Sequence, residues 1–268
     1  MIDILQHQFM QNALMVGVML SIVLAVVSFF VVLRRFAFIG VGIAHSAFGG
    51  VAIGSLFGVP PLLAAIVFAA LVANAISFVS KQKRIGVDTA IGIFFSLAMA
   101  IGVICIGLSD VYNTDLFGYL FGNILAISRW DLVVIGGLGC AILLSVFLFF
   151  KEFLFIAFDP EVALVSGMPV TFLDHFFLTL LAVTIVISIK ITGIILVSAL
   201  LVIPGAAAAL IFDHYSKIIV ASIVIALFST IGGLAISYYL NIASGATIVM
   251  LASIVFFVAF AIGKIRGK

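Results

Sequence analysis

The sequence predicts an all-α fold, a polytopic integral membrane bundle of about nine helices. Three observations carry that reading. Of 268 residues 66% are hydrophobic and only 8% are charged. The charges fall in short clusters, and the apolar runs between them approach the roughly 20 residues that a helix needs to cross a hydrocarbon core of about 30 Å. These runs also lack the period-2 alternation of a barrel strand. Because lipid offers no partner to backbone N–H and C=O groups, they must satisfy those groups internally, as helices.

Spans are expected at 13 to 33, 37 to 57, 61 to 79, 89 to 109, 131 to 150, 172 to 189, 191 to 211, 218 to 239 and 245 to 263, in one transmembrane domain covering 1–268. One division falls in the stretch 176 to 212, whose single charge is Lys190. Left as one helix it would be about 55 Å long at 1.5 Å per residue, so a tight turn near Lys190–Gly193 is expected. Leu116 to Ile127 is apolar but too short to span, and reads as a re-entrant or interfacial helix.

Loop charges set the orientation. Alternating the loops puts Arg34, Arg35, Lys81, Lys83, Arg84, Lys151, Lys217, Lys264, Arg266 and Lys268 on one side, against Arg129 and Lys190 on the other. The positive-inside rule then places the N-terminus outside and the C-terminus in the cytoplasm. Asp3, Asp110 and Asp115 fall on the outer side. The start of the chain has no Lys or Arg before its first span and no small-residue cleavage site, so the first span is expected to remain as a helix. Cys105 and Cys140 both lie inside spans without a CxxC partner, which gives no redox or metal-cluster signal. No stretch is long and polar enough for a nucleotide-binding domain, and GxxxxGK[ST] is absent, so the sequence carries no P-loop site for ATP.

The second span holds Gly42, Ser46, Gly50 and Gly54 at four-residue spacing, a ridge that lets helix backbones approach closely. His45 lies beside it. Its i±3 and i±4 neighbours Val41, Gly42, Phe48 and Gly49 carry no polar side chain, so its partner must be another helix, water or a passing ion. Imidazole binds first-row transition metals while neutral, and intramembrane ionisable groups mark pathways. Asn74 and Ser77 in the third span read as interhelical hydrogen-bonding groups, and Asp88 as a carboxylate at a helix N-terminus. His175 and His214 are expected to be solvated at cytoplasmic helix ends, and His7 lies in the external tail.

Phe158 to Pro169 forms the most distinctive polar segment. Asp159 suits an N-cap, Pro160 the first helical position, Glu161 the first turn, and Gly167 the stop before Pro169. Such a short helix needs something to pack against. Phe158, Val162, Ala163 and Val165 could offer that surface.

In this order, FIGVGIAHSAFGG (38–50), DTAIGIFFS (88–96), YLFGNIL (119–125), FDPEVALVSG (158–167), GIILVSALLVIP (193–204) and SYYLNIASGATIV (237–249) resemble the membrane subunit of zinc/manganese/iron ATP-binding-cassette importers. The resemblance covers nearly the whole chain. It implies a type II importer fold, as in vitamin B12 importers, and a homodimer or paralogue heterodimer with the pathway on its axis. It also implies two cytoplasmic ATPase subunits that bind ATP, and an external metal-binding protein.

By the same resemblance His45 is the transit histidine and Phe158, Asp159, Glu161, Ala163 and Gly167 belong to the helix that couples to the ATPase. Many members carry Asp four residues before that histidine; here Val41 stands there, removing an oxygen ligand. The resulting expectation is a permease in a prokaryotic inner membrane, surrounded by lipid, with no cofactor of its own and no nucleic-acid partner. Its cargo is a divalent metal, zinc first and manganese or iron next. A gradient-driven carrier would want paired intramembrane carboxylates or broken midplane helices, and an intramembrane enzyme would want HExxH or a Ser/His/Asp set.

Overall fold

The computed structural model describes residues 8–81, 85–109 and 129–265. The expected short helix at 116–127 lies outside them, as do Asp3, His7, Lys83, Arg84, Asp110, Asp115, Arg266 and Lys268. The described elements are all helices: α1 (Gln8–Leu33), α2 (Ile39–Phe57), α3 (Pro61–Ser80), α4 (Val87–Leu108), α5 (Arg129–Leu148), α6 (Phe150–Phe158), α7 (Pro160–Val165), α8 (Val170–Leu200), α9 (Ile203–Ile211), α10 (Tyr215–Leu240) and α11 (Ser244–Ile265).

Among the described residues eight helical stretches are long and apolar enough to cross a membrane, where the sequence suggested nine. The difference is the 42-residue stretch Val170–Ile211, counted once. It is not straight. Gly193 adopts φ 78°, ψ 165°, and breaks the helical path within α8. A side chain there would be strained, which is why glycine occupies the break.

The chain forms two compact units interleaved along the sequence, although no linker composition announces them. One comprises 1–35, 123–149 and 195–268, and the other 36–122 and 150–194. In the first, α1, α5, α9, α10 and α11 pack through small residues. A Cβ on Gly233 would stand 2.6 Å from the Cα of Ile248, so α10 and α11 meet backbone to backbone. Ser21 and Thr230 share a buried hydroxyl hydrogen bond of 2.6 Å between α1 and α10, and the Gly205 N–H at the start of α9 donates to Ser28 Oγ at 3.0 Å. In lipid, where apolar burial no longer drives association, close packing and such bonds hold helices together, at about 0.6–2 kcal/mol per bond.

The second unit contains α2, α3, α4, α6, α7 and α8 up to Ile194. It holds both the His45 helix and the Phe158–Pro169 segment.

Candidate functional site

The ridge on α2 serves two neighbours. A Cβ on Gly50 would lie 2.6 Å from the Ala65 Cα, and one on Gly54 would lie 2.8 Å from the Ala64 Cβ, so these two glycines seat α2 on α3. Gly42 faces α4 instead, where a Cβ would meet Ile91 Cγ2 at 2.6 Å. Ser46 is buried and donates its hydroxyl to the Gly42 carbonyl at 2.7 Å. Gly49, outside the four-residue ridge, is as tight: a Cβ there would be 2.6 Å from the Ala98 carbonyl oxygen of α4. The i, i+4 pattern alone did not show it.

His45 projects from α2 in a half-exposed position, with its ring edge-on to Phe95 of α4 at 4.9 Å between centroids. Its Nδ1 lies 2.9 Å from the Val41 carbonyl oxygen, so the backbone of its own helix supplies a polar partner that was expected only from another helix, water or an ion. A carbonyl only accepts, so Nδ1 carries the proton and donates. In the neutral ring Nε2 is then the atom with the free lone pair, the arrangement that fits a histidine for metal binding by fixing its tautomer through the other nitrogen. Position 41 is Val and has no side-chain ligand to offer, yet its backbone carbonyl sets the imidazole. Among the described residues no three His, Cys, Asp or Glu side chains gather into a cluster that could hold a metal ion.

The polar segment folds as its sequence requires. Asp159 caps α7, accepting from the N–H groups of Glu161 (3.1 Å) and Val162 (3.0 Å), with Pro160 opening the helix. At the other end the Met168 N–H donates to the Ala163 carbonyl at 3.2 Å and the Gly167 N–H to the Leu164 carbonyl at 3.0 Å, with Gly167 at φ 81°. That is a Schellman stop with glycine at its left-handed position. The surface differs from the expectation in one respect. Ala163 is fully buried (0%), whereas Phe158, Val162, Leu164 and Val165 are exposed, Val165 at 89%. Ala163 therefore seats the helix on its own chain, because the capped turn rotates its short side chain inward. Glu161 and Gly167 lie on the exposed side.

Behind this helix, α6 and α8 are joined by Phe153, whose ring meets Phe177 at 5.3 Å and Phe176 at 6.2 Å. One turn into α8, Asp174 pairs with Lys81 at 3.7 Å. Next to it, His175 Nδ1 lies 2.6 Å from Asn74 Oδ1 of α3, and Asn74 Nδ2 donates to Thr179 Oγ1 at 3.0 Å and to the Ala70 carbonyl at 2.8 Å. Asn74 thus bonds across helices as expected. His175, expected to be solvated, is instead half-buried in this network, because α3 packs a residue 101 positions earlier against it. Asp174 and Thr179 carried no sequence signal of their own. His214 is exposed and bonds Ser216 at 2.8 Å. Ser77 is buried, and Asp88 is exposed in the first turn of α4.

The described residues form a multi-pass helical membrane protein with a capped, outward-facing short helix. Its particular class follows from its relatives. The ABC 3 transport family profile matches residues 6–263. The manganese transport system membrane protein MntC of Listeria monocytogenes is 39% identical over 264 residues, covering 98% of this chain and 94% of that protein. A protein of Haemophilus influenzae named as a probable iron transport system membrane protein is 32% identical, covering 99% and 98%. The solved structure of PsaBC from Streptococcus pneumoniae in complex with Fab is similar at TM-score 0.85 and 38% identity, over 97% of this chain and 94% of that one. The chain belongs to the ABC 3 transport family and is the membrane permease of a metal ABC importer.

Proposed function

We propose that this permease carries manganese into the cytoplasm of a prokaryote, with iron and zinc as lesser cargoes. The observation that carries the proposal is the His45 geometry, in which Nδ1–H on the Val41 carbonyl leaves Nε2 free for a passing ion. Zinc stood first on the sequence alone. The manganese name of the Listeria relative and the iron name of the Haemophilus relative reorder the list. A lone imidazole holds Mn²⁺ more weakly than Fe²⁺ or Zn²⁺, which suits release along a path and leaves selection to the external protein that delivers the ion.

Energy comes from separate cytoplasmic ATPase subunits docking on the exposed face of α7. A second copy or a paralogue completes the path against α4. There Gly92, Ser96, Ala100 and Gly107 are exposed along one side, and a Cβ at Gly92 or Gly107 would meet nothing within 4 Å. Small residues in such a stripe let another helix approach closely. The Lys81–Asp174 pair joins the end of α3 to the start of α8, so both ends share one side, which the charge rule assigns to the cytoplasm.

Two measurements test this reading. Uptake of radioactive manganese, competed by zinc and iron, in cells lacking their own importers should require the partner ATPase; uptake driven by an ion gradient without it would overturn the importer reading for this site. A cysteine at Gly58 should react from outside and one at Lys81 from the cytoplasm; reversed labelling would overturn the orientation.

A further inference from the structure

We infer that Asn74 and His175 form a positioning clamp that transmits the movement of α7 to the His45 helix, so that ATP hydrolysis and metal passage stay coupled. The inference rests on the proposed roles of α7 and His45. It adds the physical link between them.

The link can be followed residue by residue inside one compact unit. The segment Gly167–Pro169 ties α7 directly to α8, with Val170 N–H on the Met168 carbonyl at 2.8 Å and Leu173 N–H on the Pro169 carbonyl at 3.0 Å. His175 lies less than two turns into α8. There α8 is fastened to α3 by the 2.6 Å bond to Asn74, by the Asn74–Thr179 bond, and by the Asp174–Lys81 pair. A carboxamide oxygen only accepts, so His175 Nδ1–H donates, and Asn74 donates in turn to Thr179, whose hydroxyl donates to the His175 carbonyl at 2.8 Å. Each group in this chain has a defined direction.

From the clamp, α3 runs back to its N-terminal half, where Ala64 and Ala65 meet Gly54 and Gly50 with no room for a methyl group. One turn from Gly49 on the same helix stands His45. Close-packed backbones transmit displacement because they cannot be compressed, and packed interfaces switch between discrete arrangements instead of yielding. The polar clamp and the neighbouring Asp174–Lys81 pair are joints in this path that depend on specific side chains and not on shape.

The test uses the intact transporter, reconstituted in vesicles with its ATPase subunits. Asn74→Ala should leave ATP hydrolysis at half or more of the parent rate while manganese moved per ATP falls at least fivefold. His175→Ala should behave alike, and the double variant should be no worse than either single, as expected for residues acting as one unit. Exchanging the partners, with Asn74→His and His175→Asn together, should recover much of the ratio. An unchanged metal-to-ATP ratio in Asn74→Ala overturns the clamp, and so does an equal fall of uptake and hydrolysis at equal complex abundance, which would mark a purely structural role. Failure of the underlying reading looks different: Val165→Asp would then leave ATPase association intact, or His45→Ala would leave uptake intact.

Discussion

Replacing Gly50 with alanine should separate α2 from α3. The new Cβ would lie 2.6 Å from Ala65 Cα, 2.9 Å from the Ala64 carbonyl oxygen and 3.0 Å from Phe68 Cβ. Carbon pairs rest at about 3.5–4.0 Å, so the helices must part by roughly 1 Å at this level. Two of the three obstructing atoms are backbone and cannot rotate aside. Overpacking of this kind costs about 1–3 kcal/mol, or about five- to 140-fold in the folded fraction. Alanine also gains about 0.8–1 kcal/mol of helix propensity over glycine. Gly137→Ala in α5 supplies the control, because its Cβ meets nothing within 4 Å and it collects the same propensity gain. The difference between the two variants therefore isolates the contact. For a domain of this size it corresponds to roughly 2–12 °C in apparent Tm, at about 2–4 °C per kcal/mol. Thermal unfolding of both variants in the same detergent measures it. If Gly50→Ala melts with Gly137→Ala, the close α2–α3 seat is not part of the native structure.

Three further outcomes are expected. At equal membrane abundance His45→Ala should reduce manganese uptake at least tenfold; His45→Gln, which keeps a polar amide but no imidazole lone pair, should not restore it, and recovery by Gln would assign His45 to packing. Val165→Asp should abolish co-purification with the ATPase subunits without lowering the amount of inserted permease, since Val165 is 89% exposed; full association would remove this face from the docking surface. Ala163→Asp should instead lower the amount of folded protein, because Ala163 is fully buried and an unpaired carboxylate there has no partner; normal abundance would contradict its inward placement.

The local features of this protein were legible in the sequence because each is set by a few neighbouring residues. The Asp159 cap, the Pro160 start and the Gly167 stop follow from backbone chemistry within a ten-residue window, and α7 forms between them. Composition, apolar run length and the lack of period-2 alternation together determined the helical membrane class. The break expected near Lys190–Gly193 came from comparing helix length with membrane thickness, and it falls at Gly193. Even His45 stood out locally, since its own helix offers its side chain no side-chain partner.

Tertiary structure decided what depends on distant pairing and on the rotation of a helix about its axis. That Gly42 faces α4 while Gly50 and Gly54 face α3 requires the crossing of three helices, and four-residue spacing is the same for either neighbour. Ala163 turns inward because of how α7 is seated, not because of its residue type. His175 meets Asn74, and Lys81 meets Asp174, across roughly 90 to 100 residues of chain. Hydropathy averages over a window and cannot see such pairs; only packing brings them within hydrogen-bonding distance.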